Sequence, residues 1–128
     1  MKREVVTSAD APKAIGPYSQ AIRCEAKEWV FLSGQIPLDP ASMQIVGDDV
    51  QSQAEQVIRN IKAVLANLEM DLRNVVKTTM FLKDMNDFAR VNEIYASHFS
   101  ENPPARSTVE VARLPKDVKV EIECIAAR

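Results

Sequence analysis

A chain of 128 residues falls a little short of the roughly 150 typical of a domain, which implies one unit over residues 1–128 and excludes a two-domain enzyme. Its 46% hydrophobic and 27% charged residues suit a folded protein with a core, far from disordered composition. With 16 Lys and Arg against 18 Asp and Glu, the formal charge of −2 offers no basic footprint for nucleic acid or an anionic membrane; one Trp, two Tyr and four Phe are too few for a base-stacking platform.

Apolar runs such as Trp29-Val30-Phe31-Leu32 are far shorter than the roughly 20 residues of a membrane span. Met1-Lys2-Arg3-Glu4 turns acidic before any apolar stretch, so no secretory pattern is read there. Cys24 and Cys124 lie far apart in a chain long enough to fold without staples, which suits a reducing compartment. The expected location is the cytoplasm, with an organelle matrix as the alternative.

In chain order, Glu4-Val5-Val6-Thr7 forms a short edge strand, and Pro12 with Gly16-Pro17 marks an irregular loop. Ala21 to Cys24 and Trp29 to Ser33 read as two strands joined in a hairpin through Glu25 to Glu28. Pro37 and Pro40 break regular structure, and Gly47-Asp48-Asp49 starts a helix with acids near the positive end of its dipole. Val50, Ala54, Val57, Ile58, Ile61, Val64, Leu65 and Leu68 recur every three or four positions, which predicts an amphipathic helix with one buried face.

Val75 to Leu82 is rich in β-branched residues and predicts a strand buried on most of both faces. Asn86 or Asp87 caps a second helix that carries Phe88, Val91, Tyr95 and His98 or Phe99 at helical spacing and ends at Pro103-Pro104. Two strands follow, Arg106 to Ala112 and Val118 to Ala126, joined by a turn at Leu114 to Asp117. The order β-β-β-α-β-α-β-β predicts an α+β fold of two layers, with both helices on one sheet face.

The other sheet face must then be polar or covered by a partner. Val118, Val120, Ile122, Cys124 and Ala126 alternate with Lys119, Glu121, Glu123 and Ile125, while Arg106, Thr108 and Glu110 are the polar side of the preceding strand. Charge gathered on an uncovered face implies a subunit interface, hence a homo-oligomer with a site between protomers.

Residue supply removes several chemistries. His98 is the only histidine and no close cysteine pair exists, so no metal site of zinc type is available; the helical spacing makes His98 a packed structural residue. Glycines occur only at positions 16, 34 and 47, so no phosphate-cradling loop is present. Cys24 and Cys124 lie in strand patterns as inert thiols.

What remains is guanidinium and carboxylate chemistry. Arg106, held by the rigid approach Pro104-Ala105, is either a fork for a small carboxylate or half of an interface salt bridge. Glu121, in an otherwise apolar strand, is either a general acid/base with a raised pKa or a charge paired with Lys119 or Arg113. A hairpin centred on Pro115 would set Arg106 opposite residue 124, about 10 Å along the ladder from Glu121, leaving room for a small ligand between one Arg and one Glu, of the same or of neighbouring subunits. Tyr18 is a ligand hydroxyl or a packing corner, and Asn92 reads as a solvated helix residue.

Residues 104–122, from Pro104-Ala105-Arg106-Ser107-Thr108-Val109-Glu110 to Val120-Glu121-Ile122, closely resemble the carboxy-terminal signature of the RidA/YjgF family. Ala14-Ile15-Gly16-Pro17-Tyr18-Ser19-Gln20-Ala21, Ser33-Gly34-Gln35-Ile36-Pro37-Leu38-Asp39-Pro40, Asp87-Phe88 and Val91-Asn92-Glu93-Ile94-Tyr95 are also in register, so the resemblance covers nearly the whole chain. It implies a chorismate-mutase-like α+β fold assembled as a homotrimer, with ligand clefts at the subunit interfaces. The activity implied is hydrolysis of 2-aminoacrylate, 2-iminopropanoate and 2-iminobutyrate to 2-keto acids and ammonia, a form of metabolite damage control. Under it Arg106 clamps the substrate carboxylate, Glu121 activates water and shuttles protons, and Tyr18, Ser33, Gly34, Asn92 and Thr108 complete the cleft. No cofactor is implied, since a protonated imine is already electrophilic. Members of the family are also described as ligand-binding, chaperone-like or endoribonucleolytic. Three departures stand out: Thr108 replaces a cysteine that many members carry, Ser100-Glu101-Asn102-Pro103 is shorter than usual, and the turn at Ala41 to Gln44 lacks a glycine.

Overall fold

The computed structural model describes residues 1–128. Its strands are β1 (Lys2–Val6), β2 (Ala21–Glu25), β3 (Trp29–Gln35), β4 (Val75–Leu82), β5 (Ala105–Glu110) and β6 (Val120–Ala127); its helices are α1 (Val50–Ala66) and α2 (Phe88–His98). The predicted order therefore holds, with single 3₁₀ turns at Leu72–Asn74, Met85–Asp87 and Pro115–Asp117. No helix is long and apolar enough to cross a membrane.

Helix α1 starts where its N-cap requires. The Asp49 carboxylate accepts from the Ser52 backbone N–H at 2.8 Å and from the Ser52 hydroxyl at 2.8 Å, satisfying a donor the helix leaves open. Gly47 turns into this cap at φ +75°, a conformation that L side chains resist. The buried stripe is Val50, Ala54, Val57, Ile58, Ile61 and Leu65. Val64 lies outside it at 38% exposure, and Leu68 packs against the core from beyond the helix end. His98, at the end of α2, meets Glu55 of α1 at 2.9 Å, so the lone histidine joins the two helices.

Two expected pairings are not made. β2 pairs with β1, as a separate two-stranded ribbon, and β3 pairs with β6, so β2 and β3 form no hairpin. Exposed Ala21, Arg23 and Glu25 leave β2 little apolar surface, whereas Leu32 of β3 needs a buried neighbour and finds Cys124. β5 and β6 form no hairpin either, since β4 lies between them in a mixed sheet ordered β3-β6-β4-β5. β4 and β5 run parallel, joined through α2, and residues 111–119 carry the chain across the end of β4 to its far side. The central places go to β4 and β6, whose Val75, Thr78, Met80, Leu82, Val120 and Ala126 are all fully buried. β4 is closed on its helix side, while Lys77, Thr79 and Phe81 on its other side are half-buried.

Candidate functional site

Register decides which way each candidate points. Arg106 is paired with Thr78, and Thr78 with Cys124, so these three share the helix side of the sheet. Thr108 follows with Met80, and Glu110 with Leu82. The polar side of β5 therefore faces the helix layer and not the open face, a correction to the sequence reading. As an edge strand β5 reaches past the apolar core, and there α2 offers it aromatic and amide groups.

Arg106 donates from Nη1 to the Asn92 Oδ1 at 2.8 Å, and its guanidinium carbon lies 4.8 Å from the Tyr95 ring centre, 5.5 Å from Phe88 and 5.6 Å from Tyr18. Three aromatic rings within cation–π distance frame the guanidinium and hold the planar fork in place. Burial lowers the Arg106 pKa from its ordinary value, with Tyr95 and Tyr18 opposing. No carboxylate of the chain pairs with it. Beneath it the buried Tyr95 hydroxyl shares a 2.8 Å hydrogen bond with Thr78, and burial pushes the Tyr95 pKa up to about 12. Tyr18 accepts from the Ile15 backbone N–H at 3.3 Å, which ties the Gly16-Pro17 loop over this end of β5. The Thr108 hydroxyl is buried without a partner. It lies two residues from Arg106 on the same face of β5, and a buried polar group left without a partner is uncommon in folded proteins.

Glu121 belongs to the other face. It is paired with Phe81, which is paired with Val109, one row of the uncovered side. Between Leu32, opposite Cys124, and Gln35, opposite Ile122, the register shifts, and Ser33 and Gly34 form the resulting bulge. A Cβ at Gly34 would stand 2.9 Å from the Glu121 carboxyl carbon, so glycine is what lets this carboxylate lie over β3. Glu121 makes no ion pair with Lys119 or Arg113, and burial, then the charge of Glu123, raise its pKa above the usual carboxylate range.

The candidates thus fall into two groups. Arg106, Asn92, Tyr18 and Thr108 gather on the helix side of the β5 edge; Glu121, Ser33 and Gly34 gather on the open face. One chain does not bring them to a single point. Asn92 is a correction: it is half-buried and bonded to Arg106, not solvated. Phe88 and Tyr95, assigned only to packing by their periodicity, also flank the guanidinium. Phe88, Val91, Asn92 and Tyr95 are one helical stripe, and a polar amide inside that stripe was the available signal.

The first group is chemically an anion clamp: a fixed guanidinium, an amide and a hydroxyl. The second offers a carboxylate whose pKa is raised, the kind of group that can transfer protons.

The profile of the Endoribonuclease L-PSP family matches residues 8–128. The chain is 56% identical over 126 residues to Protein DfrA of Myxococcus xanthus, covering 98% of this chain and 96% of that one. It is 48% identical over 128 residues to the 2-iminobutanoate/2-iminopropanoate deaminase of Salmonella typhimurium, covering 98% of both. Among solved structures, E. coli TdcF with bound serine superposes with a TM-score of 0.74 at 44% identity, again over 98% of both chains. At these identities and coverages the chain belongs to the RidA/YjgF/L-PSP family.

Proposed function

We propose that the protein is a cofactor-independent deaminase that hydrolyses 2-aminoacrylate, 2-iminopropanoate and 2-iminobutyrate to 2-keto acids and ammonia, limiting damage by these reactive metabolites. The observation that carries this reading is the aromatic-framed Arg106, a fixed cation with an amide partner and no carboxylate of its own. A 2-imino acid supplies that carboxylate. The relatives named as 2-iminobutanoate/2-iminopropanoate deaminase and the serine-bound TdcF support a ligand of amino-acid size.

In this reading the protein works as a homotrimer, with each cleft built from Arg106, Asn92, Tyr18 and Thr108 of one protomer and Glu121, Ser33 and Gly34 of its neighbour. Arg106 binds the carboxylate and Thr108 contributes a further polar contact. With the substrate as its protonated imine tautomer, Glu121 takes a proton from water as the water oxygen bonds to the imine carbon and the C=N π pair passes to nitrogen, giving a carbinolamine. Glu121 returns that proton to the amine nitrogen, the C–N bond breaks with its electron pair on nitrogen, and the departing ammonia takes up the hydroxyl proton as ammonium as the carbonyl forms. The half-buried carboxylate suits both proton transfers, since its raised pKa makes it a better base when ionised and leaves it able to return the proton. A formal charge of −2 and a single histidine held by Glu55 give no support to RNA cleavage.

The deciding experiment generates 2-iminobutyrate in situ from an amino acid and an oxidase and follows its decay. Accelerated decay that both Arg106→Ala and Glu121→Ala abolish is expected. No acceleration by folded protein overturns the reading in favour of a non-enzymatic binder of small carboxylates, for which Arg106 alone suffices.

A further inference from the structure

A cavity of about 430 Å³ opens between β1, the 3₁₀ turn before β4, and the connection from α2 to β5. Its volume falls within the range of small-molecule sites. None of the residues assigned above to the Arg106 or Glu121 groups lines it. It uses the short Ser100–Pro104 connection, which the reading of the deaminase cleft leaves without a role.

Arg3 is the unusual group here. Its Nη2 donates to the Val75 carbonyl at 3.0 Å, its Nε is buried without an acceptor, and no carboxylate lies within ion-pair distance. Burial lowers its pKa from the ordinary arginine value, the direction expected of a cation taken from water without a counter-charge. The other two basic residues of the wall are already engaged, Arg73 with Asp71 at 2.6 Å and His98 with Glu55 at 2.9 Å. Glu101, the one acidic residue of the wall, is exposed and pairs with none of these groups, which leaves Arg3 the one basic residue of the wall without an acidic partner. Ser100 and Asn102 add a hydroxyl and an amide from the connection, and Leu72 and Phe99 supply the apolar part of the wall.

We propose that this cavity is a binding site for a small phosphate monoester, its phosphate against Arg3 and its organic part against Leu72 and Phe99. Donors arriving from separate segments suit a tetrahedral group with oxygens in several directions better than a planar carboxylate. The volume exceeds what phosphate alone fills, which leaves space for an apolar body.

The test follows backbone amide shifts of the intact protein on titration with phenyl phosphate, inorganic phosphate and benzoate. Saturable shifts at Arg3, Ser100 and Asn102 are expected with phenyl phosphate, with weaker binding of the other two. Arg3→Gln should weaken phenyl phosphate about tenfold or more, as loss of a charge-assisted hydrogen bond does. Arg106→Gln should leave these shifts in place, which separates the site from the deaminase cleft and makes the result independent of that reading. Should Arg3→Gln fail to fold for want of its bond to Val75, Ser100→Asp, an exposed change that adds a repelling charge, must abolish the binding. Binding indifferent to Ser100→Asp, shifts confined to Tyr18 and Asn92, or benzoate binding as tightly as phenyl phosphate overturns the proposal.

Discussion

Arg106 and Glu121 leave the same sheet from opposite faces. Arg106 lies in the row Arg106–Thr78–Cys124 on the helix side, and Glu121 in the row Val109–Phe81–Glu121 on the open side. The rows are three residues apart, about 10 Å along the strands. The open face carries Phe31 at 73% and Val109 at 43% exposure, apolar groups that a second protomer would cover. A cleft that uses both polar residues therefore needs two chains.

Mixing inactive subunits tests this directly. Arg106→Ala and Glu121→Ala proteins, each inactive alone, should regain activity when unfolded together and refolded as a mixture. With random assembly about a quarter of the interfaces pair an intact Arg106 with an intact Glu121, so about a quarter of wild-type turnover is expected. A mixture as inactive as its components would place both residues in one chain's cleft.

The sequence displayed the elements and the candidate residue types more readily than their partners. Helix α1 was legible because its apolar stripe and its Asp49 cap are local signals. The strand pairings were not, since chain proximity favours hairpins while burial favours whichever strand is most apolar. β4, flanked by β5 and β6, displaced the expected β5–β6 hairpin. The register arithmetic nonetheless put Arg106 level with residue 124, and the structure keeps that level with Thr78 interposed. The face of Arg106 was misread because polarity at the edge of a sheet does not say which side is covered. Gly34 carried no signal of its role, as its requirement comes from a side chain far along the sequence.

That requirement makes Gly34→Ala informative. The new methyl would stand 2.9 Å from the Glu121 carboxyl carbon and 3.0 Å from its Oε2. The obstructed group is the end of a flexible side chain, so the fold should persist, with stability changed by no more than about 1 kcal/mol. The carboxylate must move, however, and misplacement on this scale should lower kcat about tenfold to a hundredfold. Circular dichroism and imine turnover on the same samples check both halves. Unchanged turnover would separate Glu121 from the chemistry.

The pH profile follows from the surroundings of Glu121. Burial and the neighbouring Glu123 disfavour its charged form, so its pKa lies above the usual carboxylate value. As a base it must be ionised. Activity is therefore present above that raised pKa and lost as pH falls through it, at a higher pH than an ordinary glutamate would give. Glu123→Gln removes one raising charge and should move this acidic limb to lower pH while leaving the plateau rate close to wild type. Glu123 is exposed, so the fold should tolerate the change. A limb that stays in place would show that another group titrates.

The Tyr95–Thr78 hydrogen bond separates stability from binding beneath Arg106. Both residues are fully buried, and their hydroxyls meet at 2.8 Å. Tyr95→Phe keeps the ring 4.8 Å from the guanidinium carbon but leaves the Thr78 hydroxyl without this partner. Loss of one member of a buried pair costs about 1–3 kcal/mol, whereas removing both can be nearly neutral. Tyr95→Phe should thus lower the urea midpoint at unchanged slope, and adding Thr78→Val should restore much of it, a coupling between touching residues. KM for the imine should change little in either variant, because the ring and not the hydroxyl supports Arg106. A large rise in KM for Tyr95→Phe would instead mean that the hydroxyl sets the position of the clamp.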